Sequence, residues 1–163
     1  MFVDEINLTV LSGAGGSGSV SFKNSSSKSS PNGGSGGKGG SVKIKVNSNL
    51  HDLSHIISES SLKAENGTDG NKNFQNGKNG EDLEIQVPSG TQVFVKNKLY
   101  ADLHEFGSIY TVIDGSKSGR GNFELISKRN PNPQICEQGQ KRQKLDIKLV
   151  YSIYSDLAII GLP

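Results

Sequence analysis

Apolar residues along the chain recur mostly at every second position, the spacing of a strand with one buried face. In VKIKV, Val42, Ile44 and Val46 fall on one side and Lys43 and Lys45 on the other. The same alternation puts Phe2, Ile6, Leu8 and Val10 on one face near the start, and Val20 with Phe22 on a further short strand. LEIQV repeats it through Leu83, Ile85 and Val87 before the turn Pro88-Ser89-Gly90, and TQVFV, LYADL and IYTVI follow. LDIKLVY closes the series with Leu145, Ile147, Leu149 and Tyr151. Short strands separated by glycine turns predict an all-β domain, a small barrel or sandwich. Helical spacing is poor: LHDLSHII at 50–57 offers two turns, with Ser, Asn and Asp crowding both ends.

Glycine changes that picture. It makes up 21 of 163 residues, while hydrophobic residues are 32%, so much of the chain cannot fill a core, and composition by itself predicts partial disorder. The glycines, however, keep a period. In PNGGSGGKGG, Gly33, Gly36 and Gly39 form one series spaced by three, and Gly34, Gly37 and Gly40 a second. Gly13 with Gly16, Gly15 with Gly18, Gly67 with Gly70 and Gly77 with Gly80 repeat the spacing, and Gly115 with Gly121 continues it more loosely. Three residues per turn is the repeat of polyproline II, whose helices pack side by side only where glycine occupies the crowded face. An ordered bundle of such segments, growing out of the β domain, is the expectation.

Catalytic and metal chemistry find little support. GAGGSG contains the loose G-x-G-x-x-G pattern, but a strand rather than a helix follows it. GGKGGS lacks the phosphate-loop spacing. His51 and His55 in HDLSH are four apart, yet Asp52 stands where a zinc helix would have Glu, and the remaining His104 is remote. Cys136, the single cysteine, has no disulfide partner and no sequence neighbour to activate it. Glu81 and Asp82 sit in a glycine loop, where capping or solvation fits them better than acid–base work. Neither an enzyme nor a metal site is predicted. The net charge is only +2, so any nucleic-acid contact must come from clustering of cations rather than from their excess. There is no run of about 18 apolar residues to cross a membrane, and the acidic start MFVDEINLTV is unlike a signal peptide. A soluble, cytoplasmic protein is expected.

Several stretches in order carry a resemblance. FVDE (2–5), GAGGSGSVSF (13–22), GGSGGKGG (33–40), KAENG (63–67), GKNGEDL (77–83) and GRGN (119–122) together resemble the N-terminal domain of the Obg family of ribosome-associated GTPases. DLAIIGLP (156–163) is similar to the strand that enters the family's GTP-binding domain, with Gly161 where the phosphate loop would begin. The resemblance implies a small β-barrel carrying six left-handed glycine-rich helices over residues 1–156, and the first strand of a GTP-binding domain at 157–163. Gly13, Gly16, Gly33, Gly36, Gly39, Gly67, Gly70, Gly77, Gly80 and Gly121 would be its packing glycines. It also implies that GTP and Mg2+ belong to that following domain and that residues 1–163 alone do not hydrolyse GTP.

By the same resemblance the domain binds the large ribosomal subunit and acts in its assembly and in nutrient-stress signalling. Glycine-rich loops projecting at one end would bring cations to rRNA phosphates; Lys23, Lys38, Lys78, Arg120 and Lys128 are the predicted contacts, among a wider set that includes Lys28, Lys72, Lys117 and Arg129. The chain also departs from the family. Lys23-Asn24 and then serines replace a basic run, Asn32 and Ser35 stand where acids are common, and Ser116 and Ser118 stand where glycine is usual. Two other roles fit the same features: a module that docks a protein partner, and a regulator that contacts its own GTPase domain.

Overall fold

A computed structural model describes residues 3–25, 28–57 and 62–152. Phe2 and the strand expected at 157–163, including Gly161, lie outside the described residues. The domain is almost entirely strand and irregular backbone, as the alternation predicts. One five-stranded sheet runs in the order β5 (Leu62–Lys63), β1 (Glu5–Leu11), β10 (Lys144–Tyr151), β7 (Thr91–Val95) and β8 (Lys98–Leu103). A three-stranded sheet places β4 (Val42–Val46) between β6 (Leu83–Val87) and β9 (Ile109–Ile113). A separate hairpin joins β2 (Phe22–Ser25) to β3 (Lys28–Pro31).

Strand alternation builds the core. On β4 the burial pattern alternates strictly, with Val42, Ile44 and Val46 inside and Lys43 and Lys45 half-exposed. Ile85 and Val87 from β6 and Ile113 from β9 join them, and Val10, Val93, Leu103, Ile147 and Leu149 from the five-stranded sheet enter the same apolar cluster. Each such side chain contributes about 1.5–3 kcal/mol on burial, so the shared core is what holds the two sheets as one unit. β7 turns into β8 through Lys96 and Asn97, both left-handed at φ 50° and 61°. That is the mirror-image turn whose twist suits a two-residue hairpin.

Three local expectations are corrected. Val20 belongs to no strand and is 41% exposed; the strand begins at Phe22, because the backbone before it is committed to bonding neighbouring glycine segments. Residues 50–57 give one helical turn, α1 (Ser54–Ile57), with Asp52 Oδ1 accepting from the Ser54 N–H at its start. Leu53 and Ile56 anchor that turn in the core. β3 and the two-residue β5 went unforeseen, one being polar throughout and the other too short to show a period.

Candidate nucleic-acid interface

Six segments without helix or strand continue from the strand ends: 12–21, 32–41, 64–71, 75–82, 115–122 and 136–143. They lie side by side and are bonded by their backbones at every third residue. The N–H groups of Gly13, Gly16 and Ser19 donate to the carbonyls of Gly40, Gly37 and Gly34, and those of Gly34, Gly37 and Gly40 donate on to Asn71, Thr68 and Glu65. Gly77 and Gly80 donate to Ser35 and Lys38, while Gly36 and Gly39 donate to Gly119 and Ser116. Segment 32–41 therefore touches four others and forms the centre of the group.

The two interleaved glycine series of that central segment face different neighbours. A methyl on Gly33, Gly36 or Gly39 would meet the carbonyl of Ser19, Gly16 or Gly13; on Gly34, Gly37 or Gly40 it would meet that of Gln75, Lys78 or Glu81. The third series, Asn32, Ser35, Lys38 and Ser41, carries side chains; Lys38 is exposed, and Asn32, Ser35 and Ser41 are buried. Gly13, Gly67, Gly70, Gly77, Gly80 and Gly121 are likewise pressed against backbone carbonyls.

Side chains with the same period finish the bonding. Asn66 and Asp69 accept from the N–H groups of Ala14 and Ser17, and Asn76, Asn79 and Asp82 from those of Ser35, Lys38 and Ser41. Two of the serines that stand at acidic or glycine positions of the family are used: Ser35 Oγ accepts from Gly121 N–H at 2.9 Å, and Ser116 Oγ donates to the Lys141 carbonyl at 2.8 Å.

At the sheet end each segment runs into or out of a strand, or borders one. At the far end three connections close them in pairs: the β2–β3 hairpin, residues 71–75, and the loop 122–136. Asn122, fully buried, ties the base of the hairpin to the loop 122–136, accepting from Gly33 N–H at 2.8 Å and donating to Ser21 and Pro133 carbonyls at 3.0 and 3.2 Å. Phe74 and Phe123 meet edge-to-face with centroids 4.8 Å apart and the planes at 80°. This distal end carries Lys23, Lys28, Lys72, Lys128 and Arg129 against a single acid, Glu124.

Comparison with known proteins places this architecture. The GTP1/OBG family model matches residues 3–153. The chain belongs to the GTP1/OBG family. It is 39% identical to the GTPase Obg of Nautilia profundicola over all of this chain and 47% of that protein. It is 38% identical to the GTPase Obg of Fusobacterium nucleatum over all of this chain and 39% of that one. The GTPase Obg of Brachyspira hyodysenteriae is 35% identical across 99% of this chain and 24% of its own length. The chain thus spans from 24% to 47% of the length of these relatives.

In this GTP1/OBG domain the predicted contact residues fall at different heights. Lys23 and Lys128 are exposed at the distal end, with Lys72 and Arg129 beside them in the same connections. Lys28 pairs through its backbone with Ser25 in the hairpin, and its side chain lies outside what is described. Lys78 lies midway, its N–H on Thr68 Oγ1. Lys38 is near the sheets, lining a polar hollow with Lys43, Asp82 and Asp114. Arg120 is occupied: Nε and Nη2 reach the Glu137 carboxylate at 2.9 and 2.6 Å. That fork holds the Glu137 carboxyl down at about 2, helped by the Arg120 N–H, and raises the guanidinium pKa in turn. Lys43 holds Asp82 below the usual carboxylate range in the same way, with Ser41 N–H assisting. Asp82 is thus the backbone cap expected of it.

Histidines remain apart. His55 Nε2 lies 2.9 Å from the Gln86 carbonyl and His104 2.8 Å from Asp102. Among the described residues no three metal-ligating side chains converge, and no helix is long and apolar enough to cross a membrane. The aromatic component of the distal end was missed from sequence, because Phe74 and Phe123 obey no period. Their signal was subtler: each is a large apolar residue set among Asn, Lys, Gln and Glu. Phe74 is also left-handed, at φ 60°, which costs on the order of 1–2 kcal/mol for a residue with a Cβ. The edge-to-face contact is worth about 0.5–1.5 kcal/mol, and the residue is 52% exposed. Asn73 and Phe74 are the left-handed pair of a two-residue turn over 72–75, with Gln75 N–H on the Lys72 carbonyl at 3.4 Å.

Proposed function

We propose that this domain binds the large ribosomal subunit through its distal end, as the non-catalytic part of a GTPase that acts in subunit assembly and stress signalling in the cytoplasm. The three-residue bonding period supports the finer fold the resemblance implies, left-handed polyproline II helices projecting from a small β-barrel. GTP and Mg2+ would be bound by the wider protein, outside residues 3–153, as relatives named GTPases and longer than this chain suggest. The observation that carries the proposal is the distal end, where Lys23, Lys72, Lys128 and Arg129 are all exposed on the three connections against a single acid, Glu124. Clustered exposed cations suit RNA, where phosphates supply the affinity.

Co-sedimentation with purified large subunits across a salt series tests it. Binding should weaken steeply with salt, and replacing Lys23, Lys72, Lys128 and Arg129 by Gln should lower the log–log slope by roughly one for each phosphate that is no longer neutralised. A second set, Lys38→Gln with Lys78→Gln, measures how far the segments enter: an unchanged slope confines contact to the tip. Salt-independent binding that survives ribonuclease would overturn RNA contact.

A second role, contact with a GTPase domain or another protein, is favoured by a different surface. Leu99, Tyr100, Phe106 and Ile109 are all at least half exposed on β8, the β8–β9 loop and β9. Supplied in trans, a GTPase domain should change its turnover with this chain, and the change should vanish with Leu99→Ser and Phe106→Ser.

A further inference from the structure

Phe74 and Phe123 border a small cavity of about 150 Å³, lined also by Gly33, Gly34, Asn76 and Glu124. Three observations set it apart from an ordinary surface dent. Phe74 stands at the tip of the 72–75 turn, half exposed beside the cavity, with its N–H on the Asn32 carbonyl at 2.8 Å. Phe123 is also half exposed, braced edge-on against it. And the single acid of an otherwise cationic tip, Glu124, stands in this cavity.

A carboxylate repels phosphate, so the cavity is wrong for the backbone that the surrounding cations attract. It is right for a base edge that offers donors. Exposed aromatic rings among cations are the usual platform on which unpaired bases stack. Guanine presents N1–H and the N2 amino group side by side, a match for the two oxygens of one carboxylate; uracil has no amino group. Lys23, Lys72 and Lys128, exposed on the same distal connections, supply the charge complementarity that brings a nucleic acid to this end rather than an apolar peptide.

We propose that the Phe74–Phe123 cavity holds one unpaired RNA base bearing amino donors, guanine best, stacked on an exposed phenylalanine ring and bonded at its edge by Glu124. The proposal deepens the RNA-binding role above and rests on it.

The test uses the 163-residue chain with labelled heptaribonucleotides UUUGUUU and UUUUUUU at low salt, read by fluorescence anisotropy. UUUGUUU should bind more tightly. Phe74→Leu, which keeps apolar bulk without a π-face, should weaken it by about five- to hundredfold, the range for losing one stacked base. Phe74→Tyr should retain the preference, which separates stacking from loss of fold. Glu124→Gln should bring UUUGUUU close to UUUUUUU while leaving UUUUUUU unchanged or tighter. If Glu124→Gln tightens both RNAs equally, or Phe74→Leu changes neither, the cavity does not hold a base. Salt-dependent binding of both heptamers without preference would sink this proposal alone and leave the cationic tip intact. Absence of binding to either would remove the RNA-binding role itself.

Discussion

The glycine residues differ in what they are for, and substitution separates them. At Gly37 an added methyl would lie against the Lys78 carbonyl, with rigid backbone rather than a flexible side chain in the way. At Gly107 the same methyl meets nothing, and only the left-handed φ of 74° resists it. Overpacking costs typically 1–3 kcal/mol where neighbours can shift, and a segment bonded on several sides shifts little. Gly37→Ala is therefore expected to destabilise by about 3 kcal/mol or more. Gly107→Ala should cost about 1–2 kcal/mol, the usual left-handed penalty. Urea denaturation of the two variants checks the order, and equal midpoints would show that bundle glycines are not packing-limited. The spacing of Gly33, Gly36 and Gly39 was legible in sequence. Which neighbour each series faces was not, since that depends on segments distant along the chain.

Among elements, the loop 122–136 is fixed at its base by a buried side chain, Asn122, and an exposed ion pair, Arg120 with Glu137, and the two should respond differently. Asn122→Ala leaves Gly33 N–H and the Pro133 carbonyl without their partner, while the Ser21 carbonyl keeps the Asn32 N–H. Unsatisfied buried groups cost about 1–3 kcal/mol each. The weakening should appear as faster amide exchange at Gly33 and Phe123 and, by a similar factor, across β4; acceleration confined to the tip would mean that it opens apart from the sheets. For Glu137 the sign follows from its pKa, lowered from an ordinary 4.5 to about 2. The pair with Arg120 favours the folded state in full above pH 4.5 and loses that contribution as pH falls towards 2. Arg120→Gln should return the Glu137 midpoint, followed by carboxyl NMR, towards 4.5. At this scale strands with strict alternation, such as 42–46 and 83–87, were legible. Val20 was misplaced because an apolar residue two before Phe22 looks the same whether its backbone bonds a sheet or a glycine segment. Phe74 and Phe123 escaped because pattern reading looks for periods, and a site need not have one.

For the whole molecule, composition and structure point in opposite directions over the same residues. Low hydrophobicity and dense glycine predict a segment that cannot offset its ordering entropy by burial. Order comes instead from hydrogen bonds shared among segments. From 33 to 41 every N–H has a partner in another segment: Gly34, Gly36, Gly37, Gly39 and Gly40 on carbonyls, and Gly33, Ser35, Lys38 and Ser41 on Asn122, Asn76, Asn79 and Asp82. Each bond contributes only about 0.5–1.5 kcal/mol net, but together they replace a core that glycine cannot provide. All six segments also border strands of the two sheets, so the segments and the apolar core should share one cooperative unit. Native-state hydrogen exchange decides the matter. Amides 33–41 are expected to exchange as slowly as those of β4, with a common opening free energy, although they belong to no helix or strand. Rates within about tenfold of a free peptide would mean that the compositional expectation was right and that these bonds form only transiently.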